Sequence, residues 1–193
     1  WDPDGTLVLY TSTQVPPYVQ YMMAHVLRIP LGKVRVIRPA VGGGFGGKAE
    51  TSPLEILSAL LSKKIGRPVK MVYSREEMFH HGRGRHKQYI DLRIGVKKDG
   101  TITAVQQKAV LEGGAYSSFG VVTVYYAGSM IPTLYRIPNY KYDGFRVNTN
   151  LPPCGAMRGH GCPAIVISPV ASITTSSNPP RFRKRRTVDP TSP

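Results

Sequence analysis

Hydrophobic and polar positions along the chain repeat with two different periods. Apolar residues recur at helical spacing over residues 16–27 and 53–65, whereas residues 6–11, 33–38 and 68–73 are short runs of strand-forming residues. Residues 89–97 and 102–111 flank Asp99-Gly100, a typical hairpin turn, and residues 142–147 form a last predicted strand. Helices mix with hairpins rather than alternating strictly with strands, so the pattern predicts an α+β fold with mixed sheets and packed helices.

The second predicted helix has the clearest boundary signals. Ser52 and Glu55 form a capping box around Pro53, and Gly66 marks the end of the helix. The sequence predicts that its buried face consists of Leu54, Leu57, Leu60, Leu61 and Ile65.

Composition divides the chain near residue 161. The 193 residues include 26 Lys and Arg against 11 Asp and Glu, giving a net charge of +15. Residues 162–193 are rich in Pro, Ser and Thr and contain a basic run at residues 181–186, so we expect a disordered tail there. No run reaches the roughly 18 apolar residues of a membrane span, which predicts a soluble, cytoplasmic protein.

Two cysteines are too few for a disulfide scaffold or for an iron–sulfur cluster within the chain. The first residue is Trp1 rather than Met, so we expect a piece of a longer protein.

A glycine loop, Gly-Gly-Gly-Phe-Gly-Gly at residues 42–47, allows several interpretations. A phosphate-binding P-loop needs Ser or Thr after Lys48, but Ala49 follows. A dinucleotide fold needs the helix to begin at the loop, whereas Ser52 lies five residues beyond it. A plain flexible loop and a close approach of backbone to a bulky ligand both stay open.

Two further stretches carry candidate chemistry. Residues 80–87 hold three histidines among Arg and Lys, which indicates a solvated basic loop rather than a metal site. Residues 150–161 place Arg158 between small residues, where its guanidinium could bind a ligand and the glycines would let the backbone approach; a surface turn is the alternative.

Taken together, three motifs resemble the molybdopterin-binding large subunit of the xanthine oxidase family of molybdenum hydroxylases. They are residues 11–14, 42–48 and 156–161, and the resemblance covers residues 1–161. It therefore implies a partial molybdopterin-binding domain over 1–161. Residues 162–193 match nothing expected of the family and have the composition of a frameshifted or vector-derived end. Within the family, residues 153–161 look most like the α subunit of 4-hydroxybenzoyl-CoA reductase.

The resemblance implies roles for seven cofactor-binding residues. Gln14 would offer its side-chain amide to an oxo ligand of molybdenum, the loop backbone would lie against the ligand sphere, and Arg158 would touch the pterin side. No residue of the chain would ligate the metal directly, and the family's catalytic glutamate base would lie beyond residue 161. The cofactor-binding residues are Gln14, Gly44, Phe45, Gly46, Ala156, Met157 and Arg158.

Tyr126 and His160 are the substrate residues that the resemblance implies, with Phe45 nearby. Purine-oxidising relatives carry a glutamate at the position of Ala49 and an arginine at that of Tyr126. A neutral phenol and imidazole suit an aromatic acyl thioester better than a purine.

The implied activity is reductive dehydroxylation of 4-hydroxybenzoyl-CoA to benzoyl-CoA in aromatic degradation. Electrons would reach molybdenum from an iron–sulfur subunit and an FAD subunit, and the isolated chain would be inactive. One alternative is an aldehyde or aromatic hydroxylase of the same family. Another, disfavoured by the absence of an aromatic-interleaved basic motif, is a nucleic-acid-binding module.

Overall fold

A computed structural model of the chain describes residues 1–162 and 171–175. The elements follow the order β1 (Leu7–Tyr10), α1 (Pro16–Leu27), a 3-10 turn (Leu31–Lys33), β2 (Val34–Ile37), α2 (Pro53–Ile65), α3 (Arg75–His81), β3 (Gln88–Val96), β4 (Ile102–Glu112), α4 (Gly120–Leu134), β5 (Tyr140–Val147) and β6 (Ala171–Thr175). Helices and mixed sheets occur together, which confirms the predicted α+β class.

The N-terminal part is a parallel strand pair crossed by α1. Leu7 of β1 lies opposite Val34 of β2, and both side chains are buried against Val19 and Met23 of α1. Helix α1 has the predicted bounds and begins with two prolines, and Arg28 ends it in the left-handed conformation. This small core holds the end of β1 in place, and residues 11–14, the first of the three motifs, follow directly.

The larger sheet has the strand order β5-β4-β3-β6. β3 and β4 are antiparallel, as the predicted hairpin requires, while β5 runs parallel to β4. The turn between β3 and β4 has Gly100 at φ +88°, with the Gly100 amide donating to the Lys97 carbonyl. The glycine is needed here because a side chain rarely adopts this conformation.

The structure differs from the predicted elements in the middle of the chain. Residues 68–73 form no strand, because no described strand pairs with them, and Val72 is exposed. A helix that the pattern did not indicate, α3, follows with its own capping box of Ser74 and Glu77. Helix α4 was also not predicted, since Gly120 and Pro132 are poor helix formers.

Packing explains why α4 forms despite its sequence. A Cβ atom at Gly128 would collide with the ring of Tyr142 on β5, so glycine allows the helix to lie directly on the sheet. The hydroxyl of Tyr142 donates to the Val124 carbonyl of the same helix at 2.8 Å. These tertiary contacts outweigh the local preference.

The predicted buried face of α2 is wrong, although the predicted helix bounds are confirmed. The structure buries Ala59 and Ser62 instead, whose small side chains let the helix approach the N-terminal core. The indole nitrogen of Trp1 donates to the Ala59 carbonyl at 2.9 Å. Of the predicted face only Leu54 is half-buried. Its other four residues are exposed: Leu57, Leu60, Leu61 and Ile65.

Strand β6 lies inside the segment for which the sequence predicts a disordered tail. Its residues pair in parallel with β3, Ala171 opposite Leu92. The remaining residues of the predicted tail beyond Cys162 lie outside the described part of the chain. Within the described part, no helix is long and apolar enough to cross a membrane.

Candidate cofactor-binding site

Gln14 lies four residues beyond the end of β1, and its side chain is hydrogen-bonded to the glycine loop. Its backbone amide donates to the Lys48 carbonyl at 2.9 Å, and the preceding residue, Thr13, is buried. The side-chain oxygen Oε1 accepts from the amides of Gly46, at 2.9 Å, and Lys48, at 3.3 Å. With Oε1 held by the loop, the Nε2 amino group has no acceptor among the described residues. It is a neutral donor held in one orientation.

The glycine loop adopts conformations that few side chains tolerate. Gly43 and Gly46 have φ values of +124° and +95°, and Phe45 itself lies at +50°. A Cβ atom at Gly44 would collide with the carboxamide of Gln14. The loop is therefore built for close approach and a fixed shape, which argues against the plain flexible loop.

The segment containing Arg158 docks on this loop through its backbone. The Arg158 amide donates to the Phe45 carbonyl at 2.7 Å, and the guanidinium lies 6.0 Å from the centre of the Phe45 ring. A Cβ atom at Gly46 would come within 2.7 Å of the Ala156 carbonyl oxygen. Met157 lies half-buried between these two contacts. The structure thus brings together the predicted residues of three distant segments.

Tyr126 and His160 form an edge-to-face aromatic pair beside that docking point. Their ring centroids are 5.0 Å apart, with an interplanar angle of 75°. Tyr126 belongs to α4, and Gly161 fixes the segment against that helix, since a Cβ atom there would lie 2.5 Å from the Thr123 carbonyl oxygen. The two residues implied to face substrate are therefore neighbours.

The stretch 80–87 is only in part the solvated basic loop that the sequence predicts. Arg85 and Lys87 are exposed, but Arg83 is not. Arg83 forms an ion pair with Glu50, Nε to Oε2 at 2.6 Å, and both side chains are mostly buried. Ser118 lies within hydrogen-bond distance of the same carboxylate. Arg85 donates to the Arg158 carbonyl at 2.8 Å. Arg83 and Arg85 therefore hold neighbouring segments.

His86 is the most buried residue of that stretch. Burial, followed by the charges of Arg146 and His160, lowers its pKa from 6.5 to about 4, so the imidazole is neutral at pH 7. Its Nε2 atom is buried with no hydrogen-bond partner among the described residues. The sequence gives little indication that His86 is buried, because its two neighbours, Arg85 and Lys87, are charged and exposed.

The comparisons with known proteins show the family of this chain. The family described as molybdopterin cofactor-binding domain matches residues 1–168. This chain belongs to that family. The match extends past residue 161, so the division of the chain at that point stays a prediction.

Relatives of this cofactor-binding domain include large subunits of bacterial enzymes. The chain is 39% identical over 163 residues to the nicotinate dehydrogenase large molybdopterin subunit of Eubacterium barkeri, covering 84% of the chain and 38% of that protein. It is 38% identical over 167 residues to the xanthine dehydrogenase molybdenum-binding subunit of Escherichia coli O157:H7, covering 86% and 22%. The chain thus spans well under half the length of these relatives.

Solved structures show the same fold. Quinoline 2-oxidoreductase from Pseudomonas putida 86 superposes with a TM-score of 0.72 at 33% identity, covering 81% of the chain and 20% of that structure. Aldehyde oxidoreductase from Desulfovibrio gigas gives a TM-score of 0.77 at 26% identity, covering 83% and 18%. The chain therefore has the architecture of part of these two oxidoreductases.

The donor set fits molybdopterin. A neutral amide, the Gln14 Nε2, faces no protein acceptor among the described residues, and the Arg158 guanidinium can bind an anionic group. A side chain at Gly44 or Gly46 would collide with the Gln14 carboxamide or with the Ala156 carbonyl, so these glycines keep the donors in place. No cluster of three or more His, Cys, Asp or Glu able to hold a metal ion occurs within residues 1–162. These features suit a metal that arrives with its own organic ligand.

Sequence reasoning missed the Glu50–Arg83 pair and the burial of His86. The partner of Glu50 lies 33 positions away, and a single sequence carries no local pattern for such an ion pair. Glu55, by contrast, has the predicted capping role, accepting from the Ser52 amide at 2.6 Å, and it also accepts from Thr11 at 2.8 Å.

Proposed function

We propose that this chain is part of the molybdopterin-binding subunit of a molybdenum-dependent oxidoreductase of the xanthine oxidase family. The observation that carries the proposal is the fixed carboxamide of Gln14, whose Oε1 accepts from the glycine loop at 2.9 Å while Nε2 points to no described acceptor. The docking of Arg158 on Phe45 supports it, because that contact assembles the predicted cofactor residues in one place.

Within that site the residues would bind and orient rather than transfer electrons. Gln14 Nε2 would donate to the metal end of the cofactor, the backbone of Gly44 to Gly46 would exclude water from its surface, and Arg158 would hold the pterin side. When bound, the molybdenum cofactor supplies the two-electron redox chemistry. A catalytic base would come from sequence outside residues 1–161.

The finer proposal is reductive dehydroxylation of 4-hydroxybenzoyl-CoA. Two electrons and two protons would replace the ring hydroxyl by hydrogen and release water, giving benzoyl-CoA. Electrons would enter through an iron–sulfur subunit and an FAD subunit. The Tyr126–His160 pair supports an aromatic substrate, because its edge-to-face geometry leaves one phenol and one imidazole to hydrogen-bond a ring hydroxyl or carbonyl.

Hydroxylation of an aromatic ring is the second candidate. Nicotinate dehydrogenase and quinoline 2-oxidoreductase, two similar proteins, are named for aromatic nitrogen heterocycles. The same neutral pair could hold such a ring, with the electrons flowing in the opposite direction.

Product analysis separates these proposals. The parent enzyme complex is incubated with 4-hydroxybenzoyl-CoA and a reduced low-potential dye, and separately with nicotinate or quinoline and an oxidised dye. We expect benzoyl-CoA in the first reaction and no hydroxylated heterocycle in the second. The reverse result would replace the reductase by the hydroxylase. A complex that turns over but contains no molybdenum would overturn the whole family of proposals.

A further inference from the structure

Four segments of the chain meet at one partly buried ion pair. The carboxylate of Glu50 lies 2.6 Å from Arg83 Nε, and Ser118 Oγ lies 2.8 and 2.7 Å from its two oxygens. The side chains of Glu50 and Arg83 are only 11% and 23% exposed. We call these three residues the Glu50–Arg83–Ser118 cluster.

The cluster touches the end of the glycine loop from two sides. Glu50 lies three residues beyond the loop, and Arg83 Nη2 donates to the carbonyl of the next residue, Thr51, at 3.2 Å. The guanidinium of Arg83 therefore binds both the side chain of Glu50 and the backbone of Thr51.

The segment that carries Arg158 rests on the other side of the cluster. A Cβ atom at Gly155 would lie 2.8 Å from both Arg83 Cδ and Ser118 Oγ, so only glycine fits there without displacement. The Gly155 amide also donates to the Gly84 carbonyl at 3.1 Å. Three residues later the Arg158 amide reaches the Phe45 carbonyl.

We infer that the Glu50–Arg83–Ser118 cluster positions the glycine loop and the Arg158 segment relative to each other. Its members are positioning residues and touch neither cofactor nor substrate. The inference rests on the proposed function only in that these two segments are the ones proposed to hold the cofactor. Removing one charge would leave the other poorly solvated and unpaired. The junction, by which we mean the contact between the glycine loop and the Arg158 segment, would then loosen while the two sheets stay folded.

Amide hydrogen exchange on the 193-residue chain tests this without any cofactor. Glu50→Gln keeps the shape of the side chain and removes its charge. We expect the amides of Gly155 and Arg158 to exchange about tenfold faster or more, because their hydrogen bonds depend on the junction. The Val105 amide, which donates to the Asn139 carbonyl in the larger sheet, should not change.

Asp143→Asn is the matched control. It also removes a carboxylate from an ion pair, with Lys141 at 3.1 Å, but both residues lie in β5 and join no separate segments. We expect it to leave the Gly155 and Arg158 amides unaffected. Gly155→Ala should reproduce the Glu50→Gln pattern, because the new methyl group would displace Arg83 and Ser118.

Coupling between the two charges is measured by the same amide exchange in Arg83→Gln and in the double variant that combines Glu50→Gln with Arg83→Gln. If the pair acts as a unit, the double variant exchanges no faster than either single one. Additive effects, equal acceleration of Val105, or no acceleration at Arg158 would each overturn the inference. Because the chain carries no cofactor in this experiment, failure of the proposed function in the parent enzyme would leave its result unchanged.

Discussion

The carboxamide of Gln14 has two chemically different ends, and the described structure engages only one of them. Oε1 accepts from the Gly46 and Lys48 amides, and Nε2 is free to donate. A residue-level test can therefore separate holding the loop from donating to a ligand.

Gln14→Glu and Gln14→Ala make that separation in the parent enzyme. Glutamate keeps the acceptor for the loop and loses the donor, whereas alanine loses both. We expect both variants to lower turnover about 10- to 100-fold, the usual loss when a partner of a metal ligand is removed. Only alanine should also loosen the loop, seen as faster exchange of the Gly46 amide. Full turnover with full molybdenum content in Gln14→Glu would contradict the donor role.

His86 makes stability depend on pH. Its pKa is lowered from 6.5 to about 4 in the folded chain, so between these values the unfolded chain binds more protons. The contribution of His86 to the free energy of unfolding is therefore fully present above pH 6.5. It declines by up to about 3 kcal/mol as the pH falls toward 4. Urea unfolding at several pH values measures this slope.

Two histidine variants complete that experiment. His86→Gln should flatten the decline between pH 6.5 and 4, because no imidazole is left to be protonated on unfolding. His25→Gln serves as the control, since His25 is exposed. An equally steep decline in His86→Gln would assign the pH dependence to other groups.

At the scale of elements, the bounds of α2 follow from the sequence pattern, whereas its buried face follows from packing. The capping box and Gly66 determine the helix bounds locally, so both could be predicted. Which face is buried depends on the neighbour, and the small Ala59 fits against the N-terminal core where the leucines would not.

Substitutions on the two faces of α2 check this arrangement in the 193-residue chain. Leu60→Gln should change the free energy of unfolding by less than about 0.5 kcal/mol, as expected for an exposed position. Ala59→Leu should cost about 1–3 kcal/mol through overpacking. Denaturant unfolding measures both. A large cost for Leu60→Gln would show that the leucine face is covered in solution.

Helix α4 and the Glu50–Arg83 pair illustrate the limit of sequence reasoning. Both depend on partners far along the chain: Tyr142 for the helix and a loop 33 residues away for the ion pair. Local signals such as the caps of α2 or the turn at Gly100 could be predicted because the interacting atoms lie within a few residues. The predicted site residues came from motif resemblance, and the structure brings them together.

At the scale of the whole molecule, the proposed cofactor residues lie on an open surface. Gln14 and Arg158 are exposed, and Phe45 is 61% exposed. A cofactor bound there by this chain would stay largely in water, where hydrogen bonds and charges contribute little. We therefore expect the 193-residue chain to retain no molybdopterin.

Metal analysis tests that expectation. The chain and its longer parent subunit are purified from the same cofactor-producing host, and molybdenum is measured by mass spectrometry. Stoichiometric metal on the short chain, together with turnover of a redox dye, would show that residues 1–193 suffice.

The bond from the Arg158 amide to the Phe45 carbonyl joins residues 113 positions apart (158 minus 45). Closing so long a stretch of chain is entropically costly, so this bond forms after the local helices and hairpin. A ribosome adds about 5–20 residues per second, which gives the newly made glycine loop roughly ten seconds before its partner even exists. During synthesis the loop is therefore accessible on the side that the Arg158 segment later covers, and the site acquires its shape only when residue 158 has emerged and folded back. The order of the motifs along the gene thus sets the earliest moment at which a cofactor can be captured.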